Sequence, residues 1–215
     1  MMIGMHQFIE KIMAAEDVKW YARVLKNHPA SCELSKEEEE EILFYSMQAA
    51  ETYASELKKR YGTVSGVSLA ETLGLSIKRR SEELRKPFLY MGIFEPEEGT
   101  VILNDSTLNA IKDFIKEYHL SEMIQEEALE EVVLFHEIFH CIEENTPGIY
   151  PRSKMLKRPV WNLFPRSIGL AGAGEVGAIH FSKKMKGISY SPCLYEMCLL
   201  VKTGVCSIDF FSSIL

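Results

Sequence analysis

The chain has 215 residues, of which 47% are hydrophobic and 26% charged, and its formal net charge is −7. This is the composition of a globular protein with enough apolar material for a full core, and its negative charge argues against a broad nucleic-acid-binding surface. Five cysteines without a C-x-x-C pair argue against a disulfide framework and a zinc ribbon, and no apolar run approaches the length of a membrane span.

The N-terminal segment carries apolar residues at helical spacing from about Gln7 to Lys26, which predicts one amphipathic helix. Because His28–Ser31 breaks this pattern, we expect residues 1–34 to form a helical extension of a domain that covers residues 35–215. Within Met1–Glu10, the polar residues His6, Gln7 and Glu10 interrupt the apolar stretch that a signal peptide needs. A cytoplasmic location is therefore expected. Apolar positions on this helix fit docking over the domain as well as self-association, and the oligomeric state stays open.

The first half of the domain begins with Ser35 and Glu38, whose spacing predicts a capping box. The elements predicted from this point are a helix to about Gly62, a short helix at Ser68–Leu75, and strands at Ser76–Arg80, Phe88–Phe94 and Thr100–Asn104. The last two strands flank the turn Glu95–Gly99. The sequence therefore predicts an α+β fold in which a small antiparallel or mixed sheet packs against helices.

The second half is predicted to be mainly helical. Its expected elements are a helix capped by Asp105 or Ser106 that reaches about Tyr118, a helix at Gln125–Glu143, a proline-rich loop at Asn145–Gly169, a helix at Gly172–Lys186 and a short helix after Ser191.

The motif His136-Glu137-Ile138-Phe139-His140 lies within the predicted helix Gln125–Glu143. Residues four apart lie on one helix face, so His136 and His140 can reach a single ion at about 2.0–2.1 Å. Glu137, one position on, is placed to take a proton from a water whose pKa zinc lowers to about 7. The helix around the motif is apolar enough to be buried, and buried histidines need partners. The pattern predicts a Zn²⁺ site with Glu137 as the general base.

A third protein ligand must come from elsewhere, because the extended motif with a third histidine is absent: Glu143 and Thr146 stand at its positions. Glu175 is the preferred candidate, since its neighbours are almost all small residues that allow two helices to approach closely. Glu143, Glu144 and Glu196 are weaker candidates.

Two other readings of short motifs fail on context. Gly172, Gly174 and Gly177 match a dinucleotide fingerprint but begin too near the C-terminus for such a fold. Ser68–Leu75 resembles half of a helix-turn-helix, yet no recognition helix follows it.

From roughly Leu43 to Leu200 the chain resembles the ImmA/IrrE family of zinc metallopeptidases. The resemblance rests on an N-terminal helix, the Ser68–Leu75 helix, the Gly92 hairpin ending in Val101–Asn104, the HEIFH helix, and Glu175 followed by Ala178 and Phe181. It implies a zincin-like fold, with His136, His140 and Glu175 as zinc ligands and Glu137 as the catalytic base. Phe139 departs from the family pattern, which has glycine there, and Gly177 and His180 depart from the later motif.

Two functions follow as hypotheses. The first is a zinc-dependent endopeptidase that hydrolyses peptide bonds, by resemblance in a regulatory protein such as a transcriptional repressor. The second is a non-catalytic zincin-fold regulator that binds its partner protein stoichiometrically, suggested by the bulk of Phe139 near the metal. No membrane partner and no direct nucleic-acid binding are expected.

Three further features bear on substrate binding. The substrate backbone is expected to add to a sheet edge supplied by Phe88–Phe94 or Thr100–Asn104. The basic and aromatic Asn145–Gly169 loop is the expected specificity element. Tyr150, His180 and Tyr190 are all candidates to stabilise the oxyanion, and the sequence does not choose among them.

Overall fold

A computed structural model describes residues 2–27, 34–85, 89–160 and 164–214, with the side chains of residues 2, 3, 156–160, 164–169 and 213 outside the description. The helices are α1 (Met2–Met13), α2 (Asp17–Asn27), α3 (Lys36–Tyr61), α4 (Gly66–Thr72), α5 (Asp105–Glu117), α6 (Leu129–Asn145), α7 (Tyr150–Ser153), α8 (Ala171–Lys186) and α9 (Cys193–Lys202). The strands are β1 (Ser76–Arg80), β2 (Gly92–Glu95), β3 (Thr100–Asn104), β4 (Met155–Val160) and β5 (Phe164–Gly169). Short 3₁₀ helices occupy Glu126–Ala128 and Ile208–Ile214.

The fold is α+β and mostly helical, as predicted. Strands β1, β3 and β2 form a mixed sheet in that order, with β1 parallel and β2 antiparallel to β3. All five residues of the central strand β3 are buried, and the sheet packs on α6 through β2 and β3. β2 is an edge strand and β3 is the central strand, so of the two predicted substrate-binding strands β2 is the one with an outer edge. Phe88, the start of the longer strand that was predicted, lies outside the described residues.

Local sequence signals account for most helix boundaries. The Ser35 side chain accepts a hydrogen bond from the Glu38 amide while the Glu38 carboxylate accepts one from the Ser35 amide, so the capping box is confirmed. α3 ends at Gly62, where φ is 73°, a conformation that favours glycine. Asn104, not Asp105 or Ser106, caps α5: its side chain accepts a hydrogen bond from the Ser106 amide.

The N-terminal segment differs from its prediction because it forms two helices, α1 and α2. α2 begins at Asp17, whose carboxylate favours the positive end of the helix dipole and pairs with Lys183 at 2.8 Å. That tertiary ion pair was not visible in the periodicity. Ile9, Ile12 and Trp20 of this segment are buried in the same hydrophobic cluster as the rest of the chain.

The prediction of a loop at Asn145–Gly169 is wrong. The segment contains α7 and a hairpin in which β4 and β5 pair antiparallel, with Pro159 opposite Pro165. A two-stranded ribbon tolerates prolines because each strand has an edge that needs no ladder hydrogen bond. Trp161 lies outside the described residues, and so do the side chains of Lys157, Arg158, Phe164 and Arg166. In the described ranges no helix is long and apolar enough to cross a lipid bilayer.

Candidate metal centre

The motif helix α6 presents two different faces. Val132, Leu134, Phe135 and Ile138 are buried, which fixes the helix in the core. His136 and His140 lie one turn apart on a face that is partly open, with side chains 21% and 24% exposed. The two histidines thus stand side by side because of the i,i+4 spacing, and they remain accessible because that face borders a cleft.

Close packing of α8 on α6 places Glu175 next to the histidines. An added Cβ at Gly177 would lie 2.6 Å from Cε1 of Phe139, so a larger residue there would push the helices apart. The Phe139 ring is fully buried and also packs on Phe181 with centroids 5.2 Å apart. Two of the three departures from the family pattern, Phe139 and Gly177, therefore contact each other. Phe139 points into the helix interface, and the expectation that it crowds a substrate near the metal is wrong.

The polar atoms of three side chains converge between these helices. His136 Nε2 lies 3.1 Å from His140 Nε2, 3.4 Å separates His136 Nε2 from Glu175 Oε2, and 3.5 Å separates His140 Nε2 from Glu175 Oε1. A group of three or more histidine, cysteine or acidic side chains could hold a metal ion. Among the described residues, His136, His140 and Glu175 form such a group. The preferred third residue, Glu175, is part of it. Glu143, Glu144 and Glu196 are not.

The residues present fit zinc. Ligands at about 2.0–2.1 Å in a tetrahedron are separated by roughly 3.3 Å, close to the three distances found between these atoms. Two imidazoles and one carboxylate are a donor set that zinc accepts, and three protein ligands leave a fourth position. In the metal-free protein, the two Nε2 atoms at 3.1 Å avoid lone-pair repulsion when one of them carries a proton and donates it to the other.

Glu143 fixes the orientation of His140. Its Oε2 accepts a hydrogen bond from His140 Nδ1 at 2.8 Å, which leaves Nε2 of a neutral ring with its lone pair towards His136 and Glu175. Burial lowers the pKa of His140, but the hydrogen bond to Glu143 and the nearby carboxylates outweigh it and raise that pKa to about 9. Without metal, a proton therefore holds the place of the cation. Glu143, considered as a weak ligand candidate, is an orienting partner instead.

Glu137 lies under strand β2. An added Cβ at Gly92 would lie 2.9 Å from Cγ of Glu137 and 2.7 Å from Cγ1 of Val133, so glycine is needed where β2 crosses α6. The Glu137 side chain is nearly buried, with the residue 6% exposed. Burial raises its pKa, and the charges of His136 and His140 only partly offset this. A carboxylate with a raised pKa beside a metal site has the properties of a general base.

A cleft of about 690 Å³ contains the group and Glu137. One side of its lining is the β2 segment from Leu89 to Phe94, and α6 and α8 contribute the metal-binding residues. Val24 and Asn27 of α2 also line it, so the N-terminal helices contribute to the cleft wall. Residues at the start of α9, including Glu196, complete the lining. No periodicity or motif in the sequence indicated the contribution of α2.

The three candidates for stabilising the oxyanion lie elsewhere. The Tyr150 hydroxyl donates to Glu41 at 3.0 Å, and the Tyr190 hydroxyl accepts from the Gln125 amide at 2.9 Å. His180 is 2% exposed and bonded through both ring nitrogens. None of the three lines the cleft as described. The sequence offered them as candidates by residue type, and the structure places each of them outside this cleft.

Two other residues near the motif also have structural roles. Glu144 pairs with Arg152. The Cys141 thiol is buried and takes a hydrogen bond from Asn145 Nδ2 at 3.5 Å, so it adds no fourth ligand to the group.

Comparisons with known proteins add no assignment to this geometry. No protein-family model, no curated protein and no solved structure matches the chain.

Proposed function

We propose that this protein is a zinc-dependent endopeptidase of the zincin type, with His136, His140 and Glu175 as metal ligands. The observation that carries the proposal is the convergence of three side chains, whose nitrogen and oxygen atoms approach one another at 3.1–3.5 Å, in an open cleft beside the nearly buried carboxylate of Glu137. A structural zinc site would need a fourth protein ligand, and the described residues offer three.

Each residue has a definable task. A zinc ion bound there would supply a Lewis acid and lower the pKa of a water to about 7. Glu137 takes the proton of that attacking water and returns it to the leaving amine. Glu143 holds the His140 ring in place through Nδ1. The exposed edge of β2 binds the substrate backbone as an added strand above α6.

The substrate class and the compartment complete the proposal. The resemblance to ImmA/IrrE peptidases supports a regulatory protein, such as a transcriptional repressor, as substrate. Cys141, Cys193, Cys198 and Cys206 are free thiols, which supports action in the reducing cytoplasm. The competing hypothesis of a non-catalytic binding protein was motivated by crowding from Phe139, and that residue is buried against α8.

The test combines metal content with cleavage of a proteome-derived peptide library read by mass spectrometry. We expect about one zinc per chain and defined cleavage products from the wild type. The Glu137→Gln variant should keep zinc and lose at least about 1,000-fold in rate, because the proton acceptor is gone. Glu56→Gln, at an exposed position of α3 outside the cleft, is the matched control and should cleave normally. Undiminished cleavage by Glu137→Gln would reject the mechanism. If the wild type holds zinc but cleaves nothing, and Glu137→Gln replaces it fully in cells, the stoichiometric binding hypothesis takes precedence.

A further inference from the structure

Glu196 is an acidic residue in the cleft that the peptidase mechanism does not use. From Cys193 to Leu199 the first turns of α9 are buried except for Glu196, which is exposed and lines the cleft. The charges of Glu175 and His136 act on its carboxyl group, so it lies within electrostatic range of the metal-binding group. Its exposed surface is therefore part of the substrate-binding space.

The Glu196 carboxylate has no hydrogen bond and no ion pair within 4 Å in the part of the chain that the structure describes. Arg23 is the cation whose charge reaches it. The Arg23 guanidinium, however, stacks on the rings of Phe210 and Phe211 at 4.2 Å and 4.4 Å and donates to the Phe210 carbonyl at 3.3 Å. Arg23 is thus held by the C-terminal segment and leaves the carboxylate open to a ligand.

Apart from the histidines, the charged side chains in the described part of the cleft lining are negative, like Glu196. Its described lining contains the carboxylates of Glu137, Glu175 and Glu196 and neither lysine nor arginine. Glu137 and Glu175 have tasks at the proposed metal site, and Glu196 is the carboxylate of this described lining that has none. The surrounding cleft wall raises the pKa of Glu196 although part of its side chain stays exposed, so the charged form gains from a cation beside it.

We propose that Glu196 is a specificity-determining residue that selects substrates with a positive charge next to the scissile bond, by contact with an ammonium or guanidinium group. The proposal rests on the proposed peptidase function. The cation has two possible sources, the side chain of lysine or arginine and the free amino terminus of a peptide. The proposal also predicts that acidic segments are poor substrates.

The experiment compares cleavage of one peptide library by the wild type, Glu196→Gln and Glu196→Lys. We expect the wild type to favour lysine or arginine at one position near the scissile bond at least about tenfold over norleucine, which has a similar shape and no charge. Glu196→Gln should lose this preference while still cleaving norleucine peptides, and Glu196→Lys should favour aspartate or glutamate there. A second library synthesised with acetyl-capped amino termini identifies the source, because capping during synthesis leaves lysine and arginine side chains charged and removes the preference only where the amino terminus is the cation.

Two controls separate a local effect from a general one. Glu56→Gln changes the net charge equally outside the cleft and should keep the wild-type preference. Glu196 makes no hydrogen bond in the described structure, so its substitution should leave the melting temperature unchanged. An identical cleavage preference in the wild type and Glu196→Gln would overturn the proposal.

A binding measurement distinguishes this inference from the proposed function. If the wild type cleaves nothing, the same library is passed over the immobilised proteins as purified, and the bound peptides are sequenced. At least about tenfold enrichment of cationic peptides on the wild type relative to Glu196→Gln would support charge selection in a protein that is not a peptidase. Equal capture by both would overturn the inference as well.

Discussion

Helix α8 contributes one residue to each of two groups in which histidine faces a carboxylate: Glu175 to the first and His180 to the second. The two groups differ in what their polar atoms contact. In the metal-binding group, Glu175 faces His136 and His140, and the Nε2 atoms of both histidines meet each other 3.1 Å apart at the cleft. In the second group, His180 is 2% exposed, with Nδ1 3.2 Å from the Tyr21 hydroxyl and Nε2 3.2 Å from Glu51. The second group has protein partners at every ring nitrogen.

This difference separates a structural histidine from a ligand candidate. His180 connects α8 to α2 and α3, and its hydrogen bonds satisfy polar atoms that burial has removed from water. His140 has Nδ1 fixed by Glu143, while its Nε2 lies 3.1 Å from Nε2 of His136 and faces the cleft. Residue type is the same in both groups, and the difference comes from which helices pack around them.

Removal of the carboxylate should have the largest effects, and the effects should differ in kind between the two groups. Glu175→Ala deletes one of three ligands and should weaken zinc binding more than about 100-fold, as measured by competition with a chelating dye. Glu51→Ala removes the partner of buried His180 and should leave zinc binding unchanged while costing about 1–2 kcal/mol in the free energy of unfolding. Equal zinc affinity of Glu175→Ala and the wild type would exclude Glu175 as a ligand.

Glu143→Gln tests the orienting hydrogen bond and should have a smaller effect. Glutamine keeps the shape but loses the charge that holds His140 Nδ1, so zinc affinity should fall about 10–100-fold. Glu144→Gln is the matched control, since the adjacent Glu144 pairs with Arg152 and not with the histidines. A loss of zinc affinity in Glu143→Gln as large as the loss in Glu175→Ala would indicate that Glu143 itself binds the metal.

The pKa values of His140 and His180 should be shifted in opposite directions from the ordinary value of histidine. The pKa of His140 in the metal-free protein is raised to about 9, and zinc must displace that proton, so zinc affinity should rise by up to about tenfold per pH unit between about 6.5 and 9. Burial lowers the pKa of His180 below its ordinary value, and zinc leaves it unaffected. Histidine NMR titrations with and without zinc measure both pKa values.

The same shifts set the sign of each contribution to stability. Protonated His140 stabilises the metal-free fold fully below pH 6.5, and this contribution is lost as the pH rises through about 9. Neutral His180 stabilises the fold above pH 6.5, and that contribution is lost as the pH falls through its lowered pKa. A His140 that titrates below pH 6.5 without metal would contradict the arrangement with Glu143.

Much of the fold was predictable because its signals are local. The capping box at Ser35, the end of α3 at Gly62 and the strands at Ser76–Arg80 and Thr100–Asn104 each depend on residues a few positions apart. The elements that were missed depend on distant contacts. The break before α2 coincides with the Asp17–Lys183 pair, and the β4–β5 hairpin replaces a predicted loop.

The sequence by itself determined that His136 and His140 share one helix face with Glu137 beside them, because helical geometry fixes neighbours at i+1 and i+4. Its small residues around Glu175 favoured that glutamate as the third ligand, and the structure places it beside the two histidines. Only the tertiary structure decided that Phe139 fills the space left by Gly177, that Glu143 holds His140, and that Glu196 faces the cleft. The physical reason is that these relations depend on how α6, α8 and α9 are arranged against each other, and periodicity within one helix does not encode the position of another.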